Sequence, residues 1–417
     1  MQGSEVVKRS RKGLKIWLVS IVCALIAAGG VGAATAGNWN GSASTAVSPA
    51  PSSTTATPSA TPKPALPVSV AVLPADGATG VNPSAPVSVT ATNGTLSNVV
   101  LTDKTSGSAV DGSLSADGGS WSATGSIGFN ASYALSYAVK DGAGTIEHKT
   151  STFATVPASH EADAALYPSG AHKVGVGQPI QITFSEPVVN KEAVEKAISI
   201  TTSTGQVGAF RWYSDTMVRF RAETFWTANS TITVDMKLFG VDFGNGQIGN
   251  FNKTATIPIG DKVEMVADAA NYVADVYIND VLAQHFLVTM GDERFPSASG
   301  YLVVLNDKQR YAHFVASTIG LQPGDPANYG EVDVEYATRL TPSGEFIHQA
   351  TDSAVPYIGQ LNLSHGCIGM DAAGASWVFG NMGMGDLVRV INSPNYTIAP
   401  TDGFGDWNIP FAEYASR

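Results

Sequence analysis

"GATGVNPSAPVSV" (77–89) and "GAHKVGVGQPIQI" (170–182) align without a gap at an offset of 93 residues. Gly77, Ala78, Val81 and Pro86 fall on Gly170, Ala171, Val174 and Pro179, while Val87 and Val89 fall on Ile180 and Ile182. A turn-rich lead followed by branched residues at alternate positions predicts a strand that buries one face. A repeat near a hundred residues fits tandem β-sandwiches, and alternation recurs in "PVSVTAT" (86–92), "ALSYAV" (134–139), "PIQITF" (179–184) and "TITVDM" (231–236). Two immunoglobulin-like modules are therefore expected at 68–157 and 158–258. Trp212, Phe220 and Trp226 are expected as core or interface aromatics of the second.

Outward from the repeat, the chain changes character twice. Residues 37–67 are Ser, Thr, Ala and Pro with few large apolar groups, and they read as an extended tether. Before them, Lys8, Arg9, Arg11, Lys12 and Lys15 precede an uncharged apolar run at 16–36. This N-terminal segment (1–36) reads as a cleaved signal peptide or a retained membrane anchor. A length of about 20 residues, close to a bilayer span, favours the anchor. Either way the remainder is expected to be exported across the membrane. The first 36 residues hold five basic side chains and one acid; against −11 for the whole chain, this leaves −15 on the exported part. So acidic a body has no electrostatic case for nucleic acid.

After 258 the sequence stays β-like. "YVADVYINDVLAQHFLVTMG" (272–291) alternates around Asn279-Asp280 and predicts a hairpin. Strand-like pieces continue through "SGYLVVLND" (299–307), "VEYATRL" (334–340) and "GEFIHQA" (344–350). "DAAGASWVFGNM" (371–382) predicts one short helix, with Asp371 as N-cap and Ala375, Val378 and Phe379 on one face. "GDLVRVIN" (385–392) closes the unit as a strand. The whole chain is thus expected to be mainly β, two sandwiches followed by a β-rich domain at 259–417.

Only two cysteines occur, and Cys23 lies in the apolar N-terminal run. Cys367, in "LSHGCIG" (363–369), therefore has no disulfide partner, and an unpaired thiol in an exported protein is a liability unless it reacts. His365 lies two residues earlier and His348 ends a strand-like run 19 residues upstream. Gly366 leaves room for substrate, and the amides of Gly366 and Cys367 are candidate oxyanion donors. A zinc site from His348, His365 and Cys367 lacks a fourth ligand; no metal or other cofactor is expected. The histidines at 285 and 313 read as strand-face residues.

His348, a gap of 15 residues and then Ser364-His365-Gly366-Cys367 resembles the signature of the L,D-transpeptidases of the YkuD family. The resemblance extends over 259–417 and includes "TMG" (289–291), "TPSGEFIH" (341–348) and "GDWNIPF" (405–411). It implies a YkuD-type catalytic domain that cross-links peptidoglycan stem peptides, with tandem immunoglobulin-like modules as in membrane-anchored members. By that resemblance Cys367 is the nucleophile, forming a thioester as terminal D-Ala leaves, and His348 is the general base. His365 and the Gly366 and Cys367 amides would shape the oxyanion site, Ser364 would line it, and Tyr329 falls where a lid tyrosine is placed. Two positions depart from the pattern. Gly369 stands where Asn is usual, and Gln349 stands where Ser is frequent after the base, a change without consequence if the Gln349 carbonyl orients His348. Carbapenems are the expected inhibitors, and a neighbouring imidazolium is expected to lower the thiol's pKa. The alternatives are an L,D-carboxypeptidase, in which water resolves the thioester, and a wall protein that only grips peptidoglycan. The sandwiches are expected to act as a spacer.

Overall fold

A computed structural model describes residues 66–416 except Asn395. The basic cluster, the apolar run with Cys23 and nearly all of the tether lie outside the described residues. Two β-sandwiches follow. The first packs a four-stranded sheet (order Ser69–Leu73, Ser88–Thr92, Ser120–Ala123, Gly112–Leu114) against a five-stranded one built on Gly94–Asp103, Ser132–Asp141 and Ile146–Thr155. The second pairs Ala164–Tyr167, Ile180–Phe184, Met217–Ala222 and Gly208–Ser214 against a sheet of Ile198–Thr202, Thr231–Lys237 and Asn252–Pro258.

The aligned repeat has a physical counterpart in both modules. Val87 and Val89 are buried in the first core, and Ile180 and Ile182 in the second. The matched turn glycines, Gly77 and Gly170, both have positive φ (77° and 88°), which other residues adopt at a cost. Phe220 and Trp226 are core residues of the second sandwich, and half-buried Trp212 stacks on Phe184.

Residues beyond 262 form a nine-stranded mixed sheet. Its order is Gly300–Val303, Leu387–Ile391, Val263–Asp268, Val273–Ile278, Val281–Thr289, Ile368–Met370, Phe346–Gln349, Glu331–Arg339, Lys308–Val315. Asn279 and Asp280 both have positive φ (51° and 66°), as a two-residue hairpin loop with the twist of its strands requires. Helix Ala372–Asn381 starts at Asp371, whose carboxylate accepts from Gly374 N at 2.7 Å, and buries Ala375 and Val378. Phe379 is only half-buried, edge-on to Tyr336.

The second sandwich and this sheet share a packed boundary. Val303, Leu387 and Phe404 belong to the same apolar cluster as Ile180, Phe220 and Trp226. The amides of Gly175 and Gly177 donate to the carbonyls of Met384 and Gly385, each at 2.8 Å. The C-terminal tail then returns across the joint. Asn408 bonds both backbone groups of Tyr301, on the sheet's edge strand, while Trp407 Nε1 donates to Gly177 O of the sandwich at 2.7 Å.

Candidate active site

Strand pairing creates the site. Phe346–Gln349 and Ile368–Met370 run parallel, with Ile347 opposite Ile368 and His348 opposite Gly369. Cys367, just ahead of its strand, is therefore brought to the strand that carries His348. Both side chains line one cavity of about 360 Å³, together with Thr289, Phe314, Tyr329 and His365.

His348 is 8% exposed, and its Nδ1 lies 2.6 Å from the Gln349 carbonyl oxygen. A carbonyl only accepts, so Nδ1 carries the proton and Nε2 keeps its lone pair. The backbone of residue 349 thus sets the tautomer, and no side-chain orienter is needed there. Burial lowers the imidazole's pKa, against the opposing Gln349 bond. Burial likewise pushes the Cys367 thiol up to about 12, with Glu345 adding to the effect and the Phe346 amide and Arg339 opposing it. The half-buried thiol makes a long 3.6 Å contact to Gly344 O. Both shifts disfavour a preformed thiolate–imidazolium pair. This is opposite in direction to the lowered thiol pKa expected from an imidazolium neighbour, because desolvation outweighs every charge near the sulfur.

The turn before Cys367 uses most of its own polar groups. Gly366 has φ 115°, which a side chain would strain. Ser364 Oγ donates to Cys367 O at 2.6 Å and accepts from Gly366 N at 3.2 Å. Ser364 lines the cavity, as expected, while its hydroxyl and the Gly366 amide are engaged with the turn. His365 Nε2 lies 2.8 Å from Ala327 O and so donates to it, and its ring packs on Phe295 and edge-on to Tyr329. It latches the loop carrying Tyr329 and presents no Nε2 proton to a reacting carbonyl. Tyr329 stands in the cavity wall, its phenol pKa raised by burial. Gly369 is buried between two strands, paired with Thr289 on one side and His348 on the other.

Several residues that hold this arrangement escaped the sequence reading. Thr289 Oγ1 donates to Leu361 O at 2.8 Å and accepts from Leu363 N at 3.2 Å. Asn362 accepts from Met290 N at 2.9 Å and donates to Ala269 O at 2.8 Å. Ser364 N donates to Met290 O. The "TMG" run is thus the rail to which the loop before the nucleophile is fastened. That run was visible as a motif, whereas Asn362 carried no separate signal. A second groove of about 920 Å³ adjoins the cavity, shares Val332, Val334, Ala350, Thr351 and Ser353 with it, and is rimmed by Asp333, Glu335 and Asp352.

The family model described as "L,D-transpeptidase catalytic domain" matches residues 262–390, and that described as "Bacterial Ig domain" matches 78–242 across both sandwiches. L,D-transpeptidase 2 of Mycobacterium tuberculosis (strain CDC 1551 / Oshkosh) is 37% identical over 341 residues, covering 81% of this chain and 82% of that protein. This chain belongs to the L,D-transpeptidase family. L,D-transpeptidase 5 of M. tuberculosis (strain ATCC 25618 / H37Rv) is 28% identical to this transpeptidase, over 82% of this chain and 75% of its own. A solved structure of the L,D-transpeptidase LdtMt1 in complex with imipenem aligns with TM-score 0.48 and 27% identity, over 54% of this chain and 97% of that one. Membership of that family makes the chain an enzyme, and the non-catalytic wall-binding reading is set aside.

Proposed function

We propose that this transpeptidase forms 3→3 cross-links through a thioester on Cys367. Sγ attacks the carbonyl of the L-centre to D-Ala bond of a tetrapeptide donor as its proton passes to His348 Nε2. The tetrahedral oxyanion collapses, His348 returns the proton to the departing amine, and D-Ala leaves. An amine from a second stem then attacks the thioester and gives its proton to His348. Collapse expels the sulfur, which takes that proton back.

The observation that carries this reading is a half-buried thiol sharing a cavity with an imidazole whose Nδ1 is bonded to the Gln349 carbonyl, leaving Nε2 as the atom to take a proton. Neutral partners suit it, because the proton moves only as the carbon–sulfur bond forms. The adjoining groove, in which Asp333 pairs with His313 and Glu335 with Arg310 while Asp352 also lines the wall, offers room for a second stem. Carbapenems, with a strained acyl ring, fit the same first step and would stay as thioesters. The N-terminal segment would hold the enzyme at the outer face of the membrane, with tether and sandwiches carrying the site into the wall.

Purified disaccharide-tetrapeptide tests the reading. Cross-linked dimer with free D-Ala is expected, and Cys367→Ala should yield neither. Trimmed monomer alone would make the enzyme a carboxypeptidase.

A further inference from the structure

The site described above leaves its oxyanion donor unexplained, since the Gly366 amide is engaged by Ser364 Oγ. The amide of Cys367 remains, and its direction is set by the peptide it belongs to. In a trans peptide the carbonyl and the N–H point to opposite sides of the chain. The carbonyl of that peptide is Gly366 O, which accepts from Ser297 Oγ at 2.7 Å. Ser297 is fully buried, so the carbonyl is turned into the protein interior and the Cys367 N–H away from it.

The hydroxyl's hydrogen-bond direction is also determined. Gly291 N donates to Ser297 Oγ at 3.0 Å, filling an acceptor site, and Gly366 O can only accept, so the single hydroxyl proton lies on the Gly366 bond. The backbone of Ser297 is fixed in turn, because Ser393 Oγ donates to its carbonyl at 2.6 Å and the next amide, Ala298 N, donates to Glu345 Oε1 at 2.9 Å. Gly291 admits this geometry by being glycine: a Cβ there would stand 2.2 Å from Phe295 O and 2.4 Å from Ser297 N.

We infer that Ser297 is a positioning residue for acyl transfer: by pinning the Gly366 carbonyl it aims the Cys367 N–H at the oxyanion formed when Sγ attacks. Gly291, the last residue of "TMG", acts through the same hydroxyl. This inference rests on the thioester reading. Ser297 touches neither the thiol nor the imidazole by hydrogen bond, so it acts on a developing charge and not on the nucleophile's ionisation.

Two reactions of the same sulfur separate these roles. Acylation by imipenem builds an oxyanion; alkylation by iodoacetamide displaces iodide at carbon and builds none. Both rates are followed on the full chain by intact mass, with peptide mapping to Cys367, for wild type, Ser297→Ala and Ser297→Cys. Ser297→Cys leaves no cavity and offers a weaker donor, so it decides the matter if Ser297→Ala fails to fold. Acylation is expected to fall about 10- to 100-fold in Ser297→Ala and several-fold in Ser297→Cys, below the ~10²–10³ measured for deleting an oxyanion donor outright. Alkylation of Cys367 should stay within about twofold of wild type in both, because it develops no oxyanion. Acylation at the wild-type rate in a folded variant, or equal slowing of both reactions, would overturn the role of Ser297. A wild-type chain that alkylates at Cys367 yet resists imipenem would overturn the thioester reading itself.

Discussion

Arg219 of the second sandwich and Asp406 of the C-terminal tail form an ion pair at 2.7 Å with side chains only 4% and 0% exposed. Tyr213 OH donates to the other carboxylate oxygen at 2.8 Å, and Arg219 also reaches Pro400 O. Removing one member of so buried a pair strands a charge, which costs about 3–5 kcal/mol, whereas replacing both by apolar groups often costs little. Asp406→Ala should therefore lower unfolding free energy by about that amount. Arg219→Met with Asp406→Leu should recover most of it. Urea unfolding curves of the three variants check this.

The spacer expectation treated the sandwiches as separable from the catalytic sheet. The first has a core of its own and meets the second through the Asn82 Nδ2–Gly240 O bond (2.8 Å) and the Phe129–Phe239 contact. The second shares its core with the catalytic sheet. Val303, Leu387 and Phe404 have their apolar partners in the second sandwich, and the buried Arg221 stacks on Trp407 and Tyr414 of the tail. A chain lacking 68–157 should keep wild-type acylation and melting behaviour of the remainder. A chain lacking 68–258 leaves Asp406 without its cation and should lose at least about 3 kcal/mol of stability. Calorimetry of both truncations, beside acylation rates, decides it.

Gly369 is a packing choice. A Cβ there would sit 2.9 Å from Thr289 Cγ2 and 3.4 Å from Ala350 Cβ. The Thr289 methyl occupies the space that an asparagine would need. Gly369→Asn should destabilise by about 1–3 kcal/mol, the usual cost of overpacking. It should also slow acylation by disturbing the loop that Thr289 Oγ1 holds. Adding Thr289→Ser, which removes the methyl and keeps the hydroxyl, should restore much of both. Thermal melts and acylation rates of the single and double variants are the measurement.

Much of this was legible in residue order. The repeat at 77 and 170 marked both sandwiches because buried branched residues and positive-φ glycines leave local traces, and the Asn279-Asp280 loop did the same for the hairpin. His348 and Cys367 were recognisable because the chemistry limits which residue types serve. The rest depends on contacts between distant segments. Ser297 meets Gly366 across 69 residues, and Arg219 meets Asp406 across 187, with nothing in either neighbourhood to announce the partner. The direction of the thiol's pKa was misjudged for the same reason: burial is a tertiary property, and a nearby histidine in sequence does not reveal it.

Glu345 gives the stability a pH dependence. It is 8% exposed, and burial, with Asp402 adding, pushes its carboxyl up to about 7, against the Ala298 amide bond. Between its unfolded value of 4.5 and about 7, the folded chain holds a proton that the unfolded chain has released. Stability from this group is thus full below the unfolded pKa and is lost as pH rises to about 7. Glu345→Gln keeps the acceptor for Ala298 N and cannot ionise. The variant's melting temperature relative to wild type should rise between about pH 5 and about pH 8. A difference that stays constant would mean that Glu345 does not titrate in this window.

The reactive pair should titrate as two neutral groups. Burial drives the Cys367 thiol up to about 12 and the His348 imidazole down, so neither charge is favoured before substrate arrives. A preformed thiolate–imidazolium pair would alkylate at a constant rate well below the ~8.5 of a free cysteine. This enzyme should instead alkylate slowly at neutral pH, its rate climbing with pH through and beyond that value. Acylation should behave differently, because His348 Nε2 removes the proton as the bond forms. Its rate should level off once the imidazole is unprotonated, at a pH below the ordinary histidine value, since burial lowers that pKa. His348→Ala should slow acylation by a factor on the order of 10²–10⁴, the usual worth of a positioned base, and leave alkylation at high pH little changed. His365→Ala should do less to the chemical step and more to substrate affinity, because it releases Ala327 and the Tyr329 loop. The two pH profiles, measured on wild type and both histidine variants, check all of this. An alkylation plateau at acid pH would show that the pair is ionised at rest.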